Sequence, residues 1–190
     1  MSDKAAKKKQ YILDIAKGVF AKKGFKNVTM KDIVEACEIS RGGLYLYFDD
    51  TKEILLECLQ GGEQKDDILE KPSAGEALAV YLNEQKKAIL NNENDLTVAV
   101  YEYLFMCEET GEKESVIKPK IEKNLKVLTA LLEKGVESDE FYCEDCEQAA
   151  RNIIYTLEGL KLASKTIGVT EKEIDTQLLY ILSGLIAEEE

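Results

Sequence analysis

Between Thr29 and Phe48 the chain reads TMKDIVEACEISRGGLYLYF, a stretch that permits little except two short helices joined by a tight turn. Thr29 with Asp32 three residues on marks a helix start: a hydroxyl cap, with an acid at the positive end of the helix dipole. Ile33, Ala36 and Cys37 then fall at i, i+3, i+4, one apolar face. Glu38-Ile39-Ser40 breaks that pattern. Ser40 is placed to cap a second helix, in which Leu44 and Phe48 lie four apart and point inward together. Such a pair is a helix-turn-helix. Gly42-Gly43 inside the second helix is costly, at roughly 1 kcal/mol per glycine relative to alanine. Close approach of something bulky to the backbone is a reason to keep them, and a phosphate or a base edge in a major groove qualifies. Arg41 can donate two hydrogen bonds to a guanine edge or reach a phosphate. The hydroxyls of Tyr45 and Tyr47 suit phosphate oxygens.

ISRGGLYLYF, preceded by VTMKDIVEAC and followed by an acidic turn and a new helix, resembles the N-terminal DNA-binding domain of the TetR family of transcriptional regulators. The matching pattern runs from about Ile12 to Leu59; beyond it the likeness is one of helical layout and length. The resemblance implies DNA binding through Thr29, Arg41, Gly42, Gly43, Tyr45, Tyr47 and Lys52. The first turn of the recognition helix would face bases, and the Thr and Tyr hydroxyls would hold phosphates. Tyr47 is equally suited to packing beside Phe48. The chain departs from the family at one corner: three positions after the Phe, where a phosphate-binding lysine is usual, it has Thr51. Lys52 follows and is the residue to take over that contact. Asp49 and Asp50 would repel DNA there unless they only cap the next helix.

Charge supports this reading. The net charge of −12 looks wrong for a DNA binder until it is divided. Residues 1–48 hold ten Lys/Arg against five Asp/Glu, and residues 49–190 hold fifteen against thirty-two. A basic head on an acidic body turns the head toward DNA. Two prolines and no tryptophan in 190 residues favour helices. No apolar run reaches membrane length and no signal-peptide core is visible, so a cytoplasmic protein with no membrane partner is expected. Histidine is absent, which removes the commonest general base and metal ligand. Neither a cofactor nor a metal is expected.

The layout is all-α: a three-helix DNA-binding head over residues 1–50 and a helical ligand-binding and dimerisation body over 51–190. Met1 to Gln10, with Lys7-Lys8-Lys9, is either an arm toward DNA or a disordered start. A first helix runs from near Lys9 to Lys23 on a stripe of Ile12, Ile15, Ala16, Val19 and Phe20. Gly24 ends it, and Phe25 can fold back onto Phe20. Asp49-Asp50-Thr51 caps a fourth helix that links head to body, and Gly61-Gly62 marks a hinge. Ser73 with Glu76 starts the fifth helix in capping-box spacing. The sixth, LTVAVYEYLFMC over 96–107, is apolar all round and therefore expected to be buried. Asp145 with Gln148 and Thr170 with Glu173 start the last two helices. The final one carries Ile174, Leu178, Leu179, Ile181, Leu182, Leu185 and Ile186, a face too wide for one partner. Two such helices from each of two subunits would form a four-helix interface, giving a homodimer.

The family resemblance also implies a small-molecule effector in the body. Tyr81, Gln85, Tyr101, Phe105, Met106, Asn124 and Tyr155 are candidate walls and polar handles, each equally at home in an ordinary core. Together these readings describe a repressor that binds a palindromic double-stranded operator as a dimer. Ligand entry would shift the fourth helix and move the recognition helices off a spacing of roughly 34 Å. Cys143 and Cys146 offer a rival: a CxxC can bind zinc or cycle as a disulfide. Zinc would lack two further ligands, and the acidic surroundings would dull the thiols, leaving a redox-sensing regulator as the alternative. A helical enzyme is a further class, but no nucleophile motif, phosphate loop or dinucleotide fingerprint is present. A helical adaptor that has lost DNA binding is disfavoured by the intact Arg-Gly-Gly-x-Tyr segment.

Overall fold

A computed structural model describes residues 3–60, 66–91, 94–111 and 117–186. The helices are α1 (Asp3–Lys23), α2 (Met30–Ala36), α3 (Arg41–Tyr45), α4 (Thr51–Gln60), α5 (Ala74–Leu90), α6 (Thr97–Thr110), α7 (Ile117–Glu137), α8 (Cys146–Thr166) and α9 (Glu171–Ser183). A short 3-10 segment occupies Asp66–Glu70, and there is no strand among the described residues. The fold class is all-α, as its helical periodicity requires. No helix among these residues is long and apolar enough to cross a membrane.

The chain forms two compact units, one of Met1–Gln64 with Asn92–Glu114 and the other of Lys65–Asn91 with Ser115–Glu190. A division at residue 50 therefore does not coincide with the compact units. Both α4 and α6 belong with the head, and the chain passes between the units three times. The Gly61-Gly62 hinge lies outside the described residues.

In the first unit α1 is the axis, packing on α2, α4 and α6. Its buried stripe of Ile12, Ala16 and Phe20 meets Ile33, Leu44, Phe48, Ile54 and Leu55. Burial of each of these Ile, Leu and Phe side chains contributes about 1.5–3 kcal/mol. Gly24 ends α1 at φ +73°, its N–H donating to Phe20 O at 2.8 Å. Phe25 stacks on Phe20 with ring centroids 6.3 Å apart.

Met1 to Gln10, expected as either an arm or a disordered start, is instead helix from Asp3 onward. The reason is charge pairing. Asp3 bonds Lys7 at 2.9 Å one turn on, and Lys9 reaches Glu57 of α4 at 2.5 Å, so the lysines extend α1 rather than fray it.

The expectation that α6 is buried all round is also corrected. Ala99, Tyr103 and Cys107, at i, i+4, i+8, enter the head core, while Phe105 remains 63% exposed. An apolar composition did not reveal which stripe was used, because every stripe was apolar.

In the second unit α5 packs on α7, α8 and α9, and α8 on α7 and α9. Leu78, Leu128, Leu131, Leu132, Ile153, Leu157 and Ile174 are buried there. Ser73 caps α5 by accepting from Glu76 N at 3.0 Å. Glu140, from the α7–α8 connection, accepts from Ala74 N at 3.0 Å and Gly75 N at 2.8 Å. Thr170 and Glu173 form a reciprocal capping box at the start of α9. Lys86 of α5 bonds Glu171 at 2.8 Å and Asp175 at 2.6 Å.

Candidate nucleic-acid interface

The candidate site is the outer face of α3. Ser40 caps it, its Oγ accepting from Gly43 N at 3.1 Å. Leu44 and Phe48 anchor it, both fully buried. The helix advances about 100° per residue, so Gly42 and Leu46 lie on the side opposite that anchor. Leu46 N donates to Gly42 O at 3.2 Å, which carries helical geometry through Leu46.

The two glycines have different reasons. A side chain at Gly42 would point into open space, with nothing within 4 Å of its Cβ. A Cβ at Gly43 would sit 3.1 Å from the Ser40 hydroxyl that caps the helix. Gly42 leaves the outer surface bare, whereas Gly43 also serves the cap. Arg41 is exposed beside them, its guanidinium 5.9 Å from the centre of the Tyr45 ring. Tyr45 is 43% exposed. Tyr47 is half-buried, its ring packed against the head core. Leu46 is 82% exposed, and sequence reasoning passed over it as one more apolar residue. Its spacing from Gly42 was the available signal.

Supporting contacts fix the starts of the helices on either side of α3. Thr29 donates its hydroxyl to Asp32 Oδ2 at 2.5 Å and accepts from Asp32 N at 3.3 Å. Lys23 at the end of α1 bonds Asp32 at 2.5 Å. The ammonium, the Thr29 hydroxyl and the Thr29 N–H together hold the Asp32 carboxyl well below the usual range. Asp50 accepts from Glu53 N at 2.8 Å and Glu53 accepts from Asp49 N at 2.7 Å, so the carboxylates of Asp50 and Glu53 start α4, and Asp49 contributes only its backbone N–H. The Lys52 ammonium stands 5.9 Å over the Tyr103 ring, and a phosphate contact requires it to swing outward from there.

Comparison with known proteins agrees with this fold. The sequence pattern of bacterial regulatory proteins of the tetR family matches residues 12–58. The Tetracyclin repressor-like C-terminal domain matches residues 77–175. The chain belongs to the TetR family. It is 31% identical over 140 residues to the HTH-type transcriptional regulator YfiR of Bacillus subtilis, covering 71% of this chain and 68% of that protein. It is 25% identical over 186 residues to YerO of the same organism, covering 94% of this chain and 64% of that protein. The chain thus spans about two thirds of the length of these relatives. A TetR-family transcriptional regulator from Agrobacterium tumefaciens superposes with a TM-score of 0.77 at 16% identity, covering 96% of this chain and 99% of that one.

In this TetR-family chain the effector candidates fall in both compact units. Tyr81 and Gln85 on α5, Asn124 on α7 and Tyr155 on α8 belong to the second unit. Tyr101, Phe105 and Met106 lie on α6 and belong to the first. Tyr81 is buried in the core of its unit, and Tyr155 is exposed. Tyr101 and Phe105 have ring centroids 6.4 Å apart. An open groove of about 360 Å³ lies between α1 and α2, beside Ile15, Val19 and Ala36. None of the effector candidates lines it.

Cys146 opens α8 beside Cys143. Burial first, then the hydrogen bond to Cys143, then the charges of Glu133 and Asp145 push the Cys146 thiol up to about 11. It is protonated at neutral pH, a poor nucleophile.

Proposed function

We propose that this TetR-family regulator is a homodimeric repressor. It binds a palindromic operator through α3, works in the cytoplasm, and releases DNA when a small molecule enters the second unit. The observation that carries this reading is the α3 surface: a capped, core-anchored helix whose outward line begins at a bare glycine with an arginine beside it. Arg41 reads a base edge or grips a phosphate, and Thr29, Tyr45 and Lys52 serve phosphates. Tyr155, Leu162, Leu179, Tyr180 and Ile186 on and after the last two helices are exposed apolar residues, and they support pairing of two subunits through α8 and α9. Pairing supplies the two recognition helices that a palindrome needs. Ligand entry changes how the second unit carries the three chain crossings, and through them the head.

The test is duplex binding. Fragments selected by the protein should bind with an affinity that falls steeply as salt rises. Gly42→Leu, which projects into open space, should weaken binding at least tenfold while the melting temperature stays the same or rises, because a helix glycine is removed. Tyr45→Phe should weaken it by a few fold. Affinity unaffected by both substitutions would remove α3 from the interface.

A further inference from the structure

We infer that Leu46 is a specificity residue that reads the C5-methyl group of a thymine in the major groove. This deepens the operator-binding reading and rests on it. Three observations converge. Leu46 is 82% exposed, on a helix whose other large aliphatic, Leu44, is fully buried. It lies one turn after Gly42 on the line pointing directly away from the core, and helical hydrogen bonding runs through it. The position before it on that line is empty, with nothing within 4 Å of where a Gly42 side chain would start. Bases can therefore approach the helix until the leucine tip, rather than the backbone, meets the groove floor.

A leucine there cannot hydrogen-bond. Among the base edges of the major groove the thymine methyl is the one apolar feature it can recognise. A partner protein is the competing occupant, but Leu46 is the C-cap of the five-residue helix that carries Arg41 and Tyr45, and its position is continuous with theirs. A protein seated on Leu46 would cover the DNA-facing residues.

The probe is a duplex selected from a random pool by the full-length wild-type protein. Each thymine is then replaced singly, and symmetrically in both half-sites, by deoxyuridine, which removes one methyl group and nothing else. The expected result is one position where the wild type loses about fourfold per half-site and about fifteenfold for the pair, the worth of one buried methyl group. Leu46→Ala should bind the thymine and uracil duplexes equally there, close to the wild type on uracil. If no deoxyuridine weakens the wild type, or if Leu46→Ala keeps the full thymine preference, the inference is overturned while operator binding stands. If the wild type selects no duplex, operator binding fails, and the role of Leu46 fails with it.

Discussion

Glu102 shows how much a single side chain can hold. Its carboxylate accepts from Phe25 N at 2.6 Å and from Lys26 N at 2.9 Å, joining α6 to the turn that leads into α2. Gly24, at φ +73°, lies against that carboxylate, and a Cβ there would overlap it. Replacing Gly24 with Ala strains the backbone by about 1–2 kcal/mol and displaces the carboxylate as well. Urea unfolding should show a loss of about 2 kcal/mol or more. Glu102→Ala leaves two backbone donors without their acceptor, and should cost about 1–3 kcal/mol. An unchanged midpoint for both would show that α6 does not secure the turn. Neither effect was legible in the sequence, since Glu102 there is merely one of two polar residues in LTVAVYEYLFMC.

At the scale of helices, caps were legible and their tertiary partners were not. Thr29, Ser40, Ser73, Asp145 and Thr170 all cap the helices that follow them. The start of α5 also draws on Glu140, which lies far along the chain. Two backbone N–H groups and Ser138 hold the Glu140 carboxyl down from its ordinary 4.5 to about 2. The folded chain therefore binds fewer protons than the unfolded chain between these values. This carboxylate's contribution is complete above about pH 4.5 and fades as pH falls toward 2. Glu140→Gln should lower the urea midpoint at pH 7 and flatten its decline across that acid window. A parallel decline in wild type and variant would assign the acid sensitivity elsewhere.

At the scale of the molecule, α9 and the turn that follows it divide a wide apolar face. Ile174, Leu178, Ile181 and Leu185 enter the core, while Leu179, Tyr180 and Ile186 stay exposed. Replacing Leu179 and Tyr180 together with Glu should leave the helical signal intact and shift sedimentation from dimer to monomer. Operator affinity should drop at least a hundredfold, because a single recognition helix then reads a single half-site. Retention of the dimer would move the interface off this face. The protonated state of Cys146 bears on control. Cys143→Ser with Cys146→Ser should leave effector response unchanged in reporter cells, and loss of that response would favour the redox alternative.

The sequence by itself determined the caps and the helix-turn-helix segment, because these depend on contacts within a few residues: a hydroxyl and the next turn's N–H, a glycine and the reversal it permits. Charge division between head and body was equally readable, being a sum over residues. Tertiary structure decided what required distant partners. It assigned α6 to the head through Ala99, Tyr103 and Cys107, separated Gly42 from Gly43 by what stands near each, and left Leu46 outside the core. An apolar side chain carries no mark of whether another part of the chain will cover it; only packing assigns that, since the hydrophobic effect rewards burial without specifying the partner.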